Sequence, residues 1–229
     1  MSVALVTGGA SGIGLAAARR FKNAGWTCHL VDRAFNDEAR AVGTCHEADV
    51  RDRARADAIV KQVGEIRALI ACAGLSRDAT IDRMDAATWQ EVIDVDLTGT
   101  FNYVAACAPG FKRQGGGKIV LVSSTVAMRA RRGLANYVAA KAGVAGLARA
   151  AARDLGHAGV NVNCVAPGLV DTPLTRGVAE EIRQRLRDET CLGRIAQPDD
   201  IAAVIFFLCS EDARHVTGET IRVDGGQLS

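Results

Sequence analysis

The chain has 229 residues, 48% hydrophobic and 24% charged, with 28 basic and 26 acidic side chains that leave a formal charge of +2. That near-balance argues against a nucleic-acid surface, and no apolar run approaches the ~18 residues of a membrane span, residues 201–209 being the longest. Cys28, Cys45, Cys72, Cys107, Cys164, Cys191 and Cys209 stand singly with no CxxC pair, so they read as reduced thiols packed as small hydrophobes, neither a disulfide framework nor a metal site. The opening MSVALVTGG enters an apolar stretch directly, with no signal-peptide pattern. The expectation is a soluble, cytoplasmic protein with no nucleic-acid or membrane partner.

In chain order, strands are expected at 3–7, 27–32, 44–49, 69–73, 118–123, 160–166 and 220–223. Several are continuous apolar runs, as a parallel sheet buried on both faces requires. Helical patterns lie between them at 13–24, 53–63, 88–112, 135–155 and 198–208. This end-to-end alternation predicts an α/β fold, a single Rossmann-like doubly wound parallel sheet with helices on both faces. No Pro-, Gly- or Ser-rich linker divides the chain, and the GGG at 115–117 only separates a helix from a strand. Residues 1–229 are therefore expected to form one domain, with 171–197 as a lid over a substrate.

The first strand runs into TGGASGIG, residues 7–14. Its glycines allow a tight turn and a close backbone approach to a pyrophosphate, which then lies at the positive N-terminus of the helix that follows. Eighteen residues after Gly14, the second strand ends in Asp32, which can accept hydrogen bonds from an adenosine ribose and repels a 2′-phosphate. Farther on, NYVAAK places Tyr137 and Lys141 four residues apart, on one face of a helix. A free phenol is only about 0.1% ionised at neutral pH. A nearby ammonium stabilises the phenolate, so such a tyrosine can exchange a proton with an alcohol or ketone oxygen.

Together these motifs resemble the short-chain dehydrogenase/reductase family. TGGASGIG is similar to its TGxxxGxG loop and Tyr137–Lys141 to its YxxxK. The stretches VAPGLVDTPL (165–174) and VDGG (223–226) are similar to its PG segment and C-terminal signature, so the resemblance spans the chain. It implies Tyr137 as general acid/base, with Lys141 holding the ribose and lowering the phenol's pKa. Ser124, thirteen residues before Tyr137, is implied as the serine that binds the reacting oxygen; Ser123 would face the other side of the strand. The implied cofactor set is Gly8, Ser11, Gly12, Ile13, Gly14, Asp32, Asp49, Val50, Cys72, Ala73, Gly74, Tyr137, Lys141, Val170 and Thr172, and the implied cofactor is NAD(H) in preference to NADP(H).

Two positions depart from the family pattern. Its NNAG segment is Ala71-Cys72-Ala73-Gly74 here, and the asparagine of its fourth catalytic position is Asp96, in VDLTGTF. The family residue supports a proton-relay water largely through its main chain, which Asp96 can also do. An ionised Asp96 near Lys141 would, however, push the tyrosine pKa back up. The stretch GLSRDATIDRM (74–84) is similar to 3-oxoacyl-thioester reductases of the family. Those relatives often use the phosphorylated cofactor, against which Asp32 argues; Arg33 would grip a 2′-phosphate only if turned inward, and is expected in solvent.

Three readings stand: an NAD-dependent oxidoreductase of 3-oxoacyl thioesters, a dehydrogenase of a cyclic alcohol, polyol or sugar, or a non-catalytic NAD-sensing regulator. The three arginines of MRARRG (128–133), Arg129, Arg131 and Arg132, fall between Ser124 and Tyr137 and read either as solvated charge or as a dock for an anionic substrate. Small residues on the helices at 88–112 and 135–155, among them Ala105, Ala106, Ala108, Ala139, Gly143, Ala150 and Ala151, suggest a homotetramer built through those helices.

Overall fold

Among the described residues, 2–229 of a computed structural model, seven strands form one sheet. They are β1 (Val3–Thr7), β2 (Thr27–Asp32), β3 (Thr44–Glu47), β4 (Ala68–Ala71), β5 (Gly117–Val122), β6 (Val160–Pro167) and β7 (Thr220–Val223). Their order is β3-β2-β1-β4-β5-β6-β7, and every neighbouring pair is parallel. The central strands read VALVT and ALIA because side chains on both faces are buried: Val6 sits beside Leu30 and Ile70 in register, and all three are inaccessible.

Helices α1 (Gly12–Asn23), α2 (Asp37–Val42) and α8 (Pro198–Leu208) cover one face, where Phe21 meets Phe206 edge-on at 5.1 Å between ring centres. Helices α3 (Arg53–Val63), α5 (Gly99–Gln114) and α6 (Ala135–Leu155) cover the other, packing Ile59, Tyr103, Phe111 and Val144 on Leu5, Leu69 and Leu121. Short polar side chains start several of these helices: Asn36 accepts from Ala39 N at 2.9 Å and Asp52 from Arg55 N at 2.9 Å.

After β3 the chain crosses back and β4 pairs with the other side of β1. The connections leaving β1 and β4 therefore part in opposite directions, and a crevice opens at the carboxyl ends of these strands. This places the TGGASGIG turn and the Ala71–Gly74 segment on the same rim.

Three elements differ from the sequence expectation. α2, six residues long, is too short to show a helical period. α7 (Glu180–Asp188) lies inside the expected lid and reads EEIRQRLRD; its apolar stripe is two residues, half-buried Ile182 and buried Leu186 four apart, too short to stand out among charged neighbours. The helix expected at 88–112 is α4 (Ala86–Val92) and α5 joined by a π-helical turn, Ile93–Thr98. A π turn keeps the helical direction but rotates the residues after it, so the apolar pattern continues through the turn. The small residues also divide: Ala151 is buried, and a Cβ on Gly143 would lie 2.8 Å from Leu97, so both serve packing within the chain, while Ala150 is exposed.

Tyr103 on α5 is fully buried and its hydroxyl has no hydrogen-bond partner. An unpaired buried polar group costs about 1–3 kcal/mol. Tyr103→Phe is therefore expected to melt at the same or a higher temperature than the wild type. A clear drop in Tm by circular dichroism would show that the hydroxyl is satisfied in solution.

Candidate active site

The crevice is shaped first by backbone. Gly8 has φ +67°, and a Cβ there would lie 2.7 Å from Ala73 N; a Cβ on Gly14 would lie 2.2 Å from Gly8 O. The loop thus closes on itself and on the end of β4 only with glycine at these positions. Ser11, at the N-cap of α1, makes no side-chain bond to the helix, which leaves the first helical amides available to an anion.

The cleft so formed has a volume of about 240 Å³ and is lined by Gly8, Ser11, Gly12, Ile13, Gly14, Asp32, Asp49, Val50, Cys72, Ala73, Gly74 and Thr172. Val170 is not brought to it: its side chain packs in the core against the α1–α8 layer, and its backbone bridges to Ala196. Asp32 is fixed at the rim, one carboxylate oxygen accepting from Ala10 N at 3.1 Å and the other from Arg33 N at 2.8 Å. Arg33 is exposed, as expected of a solvated residue, yet it forms part of the cleft wall.

Arg51, which sequence reasoning missed, also lines the cleft. Its guanidinium grips Asp49 at 3.0 and 2.7 Å and holds that carboxyl below the usual carboxylate range. Asn102 was missed too. From buried α5 it donates to Val50 O at 3.0 Å and Arg51 O at 3.2 Å, pinning the loop after β3. An isolated asparagine inside a helical pattern gives no sequence signal for such a role. The cleft, its glycine cradle and its rim carboxylate fit a dinucleotide, with Asp32 placed for a ribose.

Below the cleft, α6 brings Tyr137 and Lys141 against the end of β5. Lys141 is 3% exposed; its Nζ donates to Val122 O at 3.1 Å, stands 3.1 Å from Asp96 Oδ2 and lies 5.5 Å from the centre of the Tyr137 ring. The Ser124 side chain is near enough to the Tyr137 phenol to act on its pKa, and its hydroxyl accepts from Val126 N at 3.4 Å, whereas Ser123 faces inward and donates to Lys141 O at 2.7 Å. Asn136 is fully buried and its amide donates to Arg77 O at 3.0 Å and Thr88 O at 3.2 Å. That residue, also missed, clamps the start of α6 to the loop after β4 and to α4.

Asp96 is fully buried in the π turn. Its Oδ1 accepts from Leu75 N at 2.8 Å and its main-chain oxygen from the Thr100 hydroxyl at 2.7 Å. Oδ2 has no aligned hydrogen bond despite its short distance to the ammonium, so the contact with Lys141 is an ion pair first. Burial pushes the Asp96 carboxyl up, with the ammonium opposing. Burial alone would lower Lys141, but the charges of Asp96 and Tyr137 outweigh it and the ammonium is held well above its ordinary value.

The phenol of Tyr137 is raised from its ordinary value. Burial is the chief cause; Lys141 and Ser124 work downward, and Asp96 works upward. The lysine therefore acts on the tyrosine in the expected direction but does not win. Cys72, at the departed NNAG position, is pushed up to about 12 by burial, so it is a packed thiol rather than a reactive one.

The MRARRG arginines are not equivalent. Arg129 forms a short ion pair with Glu189, at the end of α7, while Arg131 is half-buried and Arg132 exposed.

A family model described as Enoyl-(Acyl carrier protein) reductase matches residues 8–227. The chain is 36% identical to the 3-oxoacyl-[acyl-carrier-protein] reductase FabG of Staphylococcus aureus, over 97% of this chain and 96% of that protein. It is 37% identical to the acetoacetyl-CoA reductase of Allochromatium vinosum, over 98% and 97% of the two chains. The ligand-free aldohexose dehydrogenase of Thermoplasma acidophilum superposes with a TM-score of 0.92 at 30% identity, over 99% of this chain and 93% of that one.

Gly74 touches the charged centre directly: a Cβ there would lie 2.8 Å from Asp96 Oδ2 and 3.1 Å from Lys141 Nζ. Gly74→Ala is expected to push the pair apart and lower dinucleotide-dependent turnover by about a hundredfold, the cost of a displacement near 1 Å. Steady-state kinetics beside a circular-dichroism melt checks this, and wild-type turnover in a folded variant would contradict the close contact.

Proposed function

The chain belongs to the short-chain dehydrogenase/reductase family, and from that premise we propose an NAD(H)-dependent enzyme that interconverts a secondary alcohol and a ketone, with 3-oxoacyl thioesters as substrates. That it is an oxidoreductase acting on CH–OH follows from the family. The finer reading is carried by one arrangement, Tyr137 beside the buried Lys141–Asp96 pair, which packs against Gly74 in the wall of the cleft that also holds Asp32.

A nicotinamide dinucleotide, when bound, supplies the hydride exchanged with the substrate carbon. Tyr137 gives its phenolic proton to the ketone oxygen in reduction and takes it back in oxidation. Ser124, beside the phenol, donates its hydroxyl to the same substrate oxygen and holds it in line. Lys141 keeps its positive charge beside the tyrosine. Asp32, held by two backbone amides, presents a fixed negative charge where a 2′-phosphate would have to sit.

The thioester reading is supported by the FabG and acetoacetyl-CoA reductase relatives, whose names specify carrier- and coenzyme A-linked substrates. It is also supported by a groove of about 380 Å³ lined by Arg131, Arg132 and Ile81, since guanidinium groups bind phosphate in a bidentate manner. Arg129, engaged with Glu189, is left out of that role. The aldohexose dehydrogenase likeness favours a second reading, a sugar or polyol dehydrogenase on the same core. We further propose that 171–197 acts as the lid, that the protein is a cytoplasmic homotetramer, and that a pure NAD sensor would not need Ser124, Tyr137 and Lys141 together. No helix among the described residues is long and apolar enough to cross a membrane.

Initial rates with acetoacetyl-CoA and with an aldohexose, each with both cofactors, test the reading. Turnover of the thioester with NADH is expected to dominate, and Tyr137→Phe is expected to lower it by about 10²–10⁴ with little change in cofactor binding. Retention of most activity by Tyr137→Phe would remove the acid/base assignment. Asp32→Ala should narrow the preference for NADH over NADPH in kcat/KM; equal wild-type use of the two cofactors would overturn the role given to Asp32.

A further inference from the structure

Lys141 and Asp96 share one enclosed site. The ammonium and carboxylate are 3.1 Å apart, 3% and 0% exposed, with Gly74 packed against both. The partners of each are accounted for. Lys141 also reaches Val122 O on β5, and Asp96 also holds Leu75 N after β4. From the remaining elements the groups facing the tyrosine and lysine are Asp78 in the loop after β4, the Cys72 thiol at the end of β4, and the Cys164 thiol on β6. The two thiols are pushed by burial to about 12 and about 11 and are neutral at physiological pH. The formal charges acting on the Tyr137 phenol are therefore one cation, Lys141, and two anions, Asp96 close by and Asp78 in the loop.

An isolated ammonium 5.5 Å from the ring centre would favour phenolate and make Tyr137 a base at neutral pH. A lysine already neutralised by a buried carboxylate does so far less. From this geometry we infer that Asp96 is a positioning residue that shares the charge of Lys141, keeps Tyr137 a proton donor through neutral pH and so extends ketone reduction to higher pH. The equilibrium of the reaction is untouched. What changes is the pH window in which each form of the tyrosine is populated. This inference rests on the acid/base reading of Tyr137 for its consequence in turnover, but the charge relation itself can be tested without substrate.

The sign is fixed by the charges. Asp96→Asn removes a negative charge, so the phenolate is favoured and Tyr137 ionises at lower pH. The chain has two tyrosines, and Tyr103→Phe removes the other, which lies in the core outside the site. Ultraviolet titration of phenolate absorbance in that background therefore reads Tyr137 alone. The expected midpoint with Asp96 present lies above the ordinary tyrosine value of about 10, and Asp96→Asn brings it down by about one pH unit or more. In kinetics, the high-pH limb of ketone reduction and the rising limb of alcohol oxidation should both move down by the same interval.

An unchanged or higher midpoint in Asp96→Asn overturns the inference and leaves the proposed function standing. Ionisation of Tyr137 below about pH 8 in the Tyr103→Phe protein also overturns it, and this measurement needs no change at Asp96 should Asp96→Asn fail to fold. A shifted midpoint with turnover unaffected by Tyr137→Phe would instead uphold the charge relation and overturn the acid/base reading on which the pH range of reduction rests.

Discussion

Two opposite charges taken out of water each cost several kcal/mol, and the cost is recovered only where geometry and extra hydrogen bonds satisfy both ions. The Lys141–Asp96 pair meets that demand in part, drawing in α6, the π turn, the end of β5 and the segment after β4 while Asp96 Oδ2 keeps only the ion pair. Removing one partner of such a pair typically costs about 3–5 kcal/mol, because the other charge is left stranded. The pair therefore fixes where α6 sits against the sheet, and with it the position of Tyr137. Gly74 belongs to the same constraint, since the space a Cβ would need is already filled by the two charged atoms.

The π turn makes this pairing possible. In a regular helix over the same residues, the rotation per residue would direct Asp96 differently relative to α5, whose buried face carries Tyr103, Val104 and Phe111. The extra residue per turn lets Asp96 point inward at Lys141 while α5 still presents its apolar face to the sheet. Gly99, just after the turn, approaches Val50 so closely that a Cβ would lie 2.6 Å from its Cγ2. One local irregularity thus links the charged centre to the Asp49–Val50 side of the cleft.

The contacts of the segment between β6 and α8 are of another kind. Asp171–Arg183, Arg129–Glu189 and Arg194–Asp200 tie the segment between β6 and α8 through exposed ion pairs. Such pairs contribute about 0–1 kcal/mol each, far less than a buried pair costs when one partner is removed.

The strand–helix alternation, the glycine loop, Asp32 and the Tyr137–Lys141 spacing were all legible in the sequence, because each depends on local periodicity or on residue chemistry at short separation. The bounds of β1, β2, β7, α3, α6 and α8 follow directly from that pattern. α2 and α7 were not legible, having too few apolar residues to show a period. Asn102 and Asn136 gave no signal because their partners are backbone carbonyls of remote segments, and Arg51 because only the fold brings its loop to the cleft wall. Val170 matched a family position, yet its side chain turns into the core. The sequence by itself determined that Tyr137 and Lys141 share a helical face. Only the tertiary structure decided that Asp96, forty-five residues before Lys141, would be buried against the lysine, since burial and distance between remote segments set how charges act on one another and neither is written in local sequence.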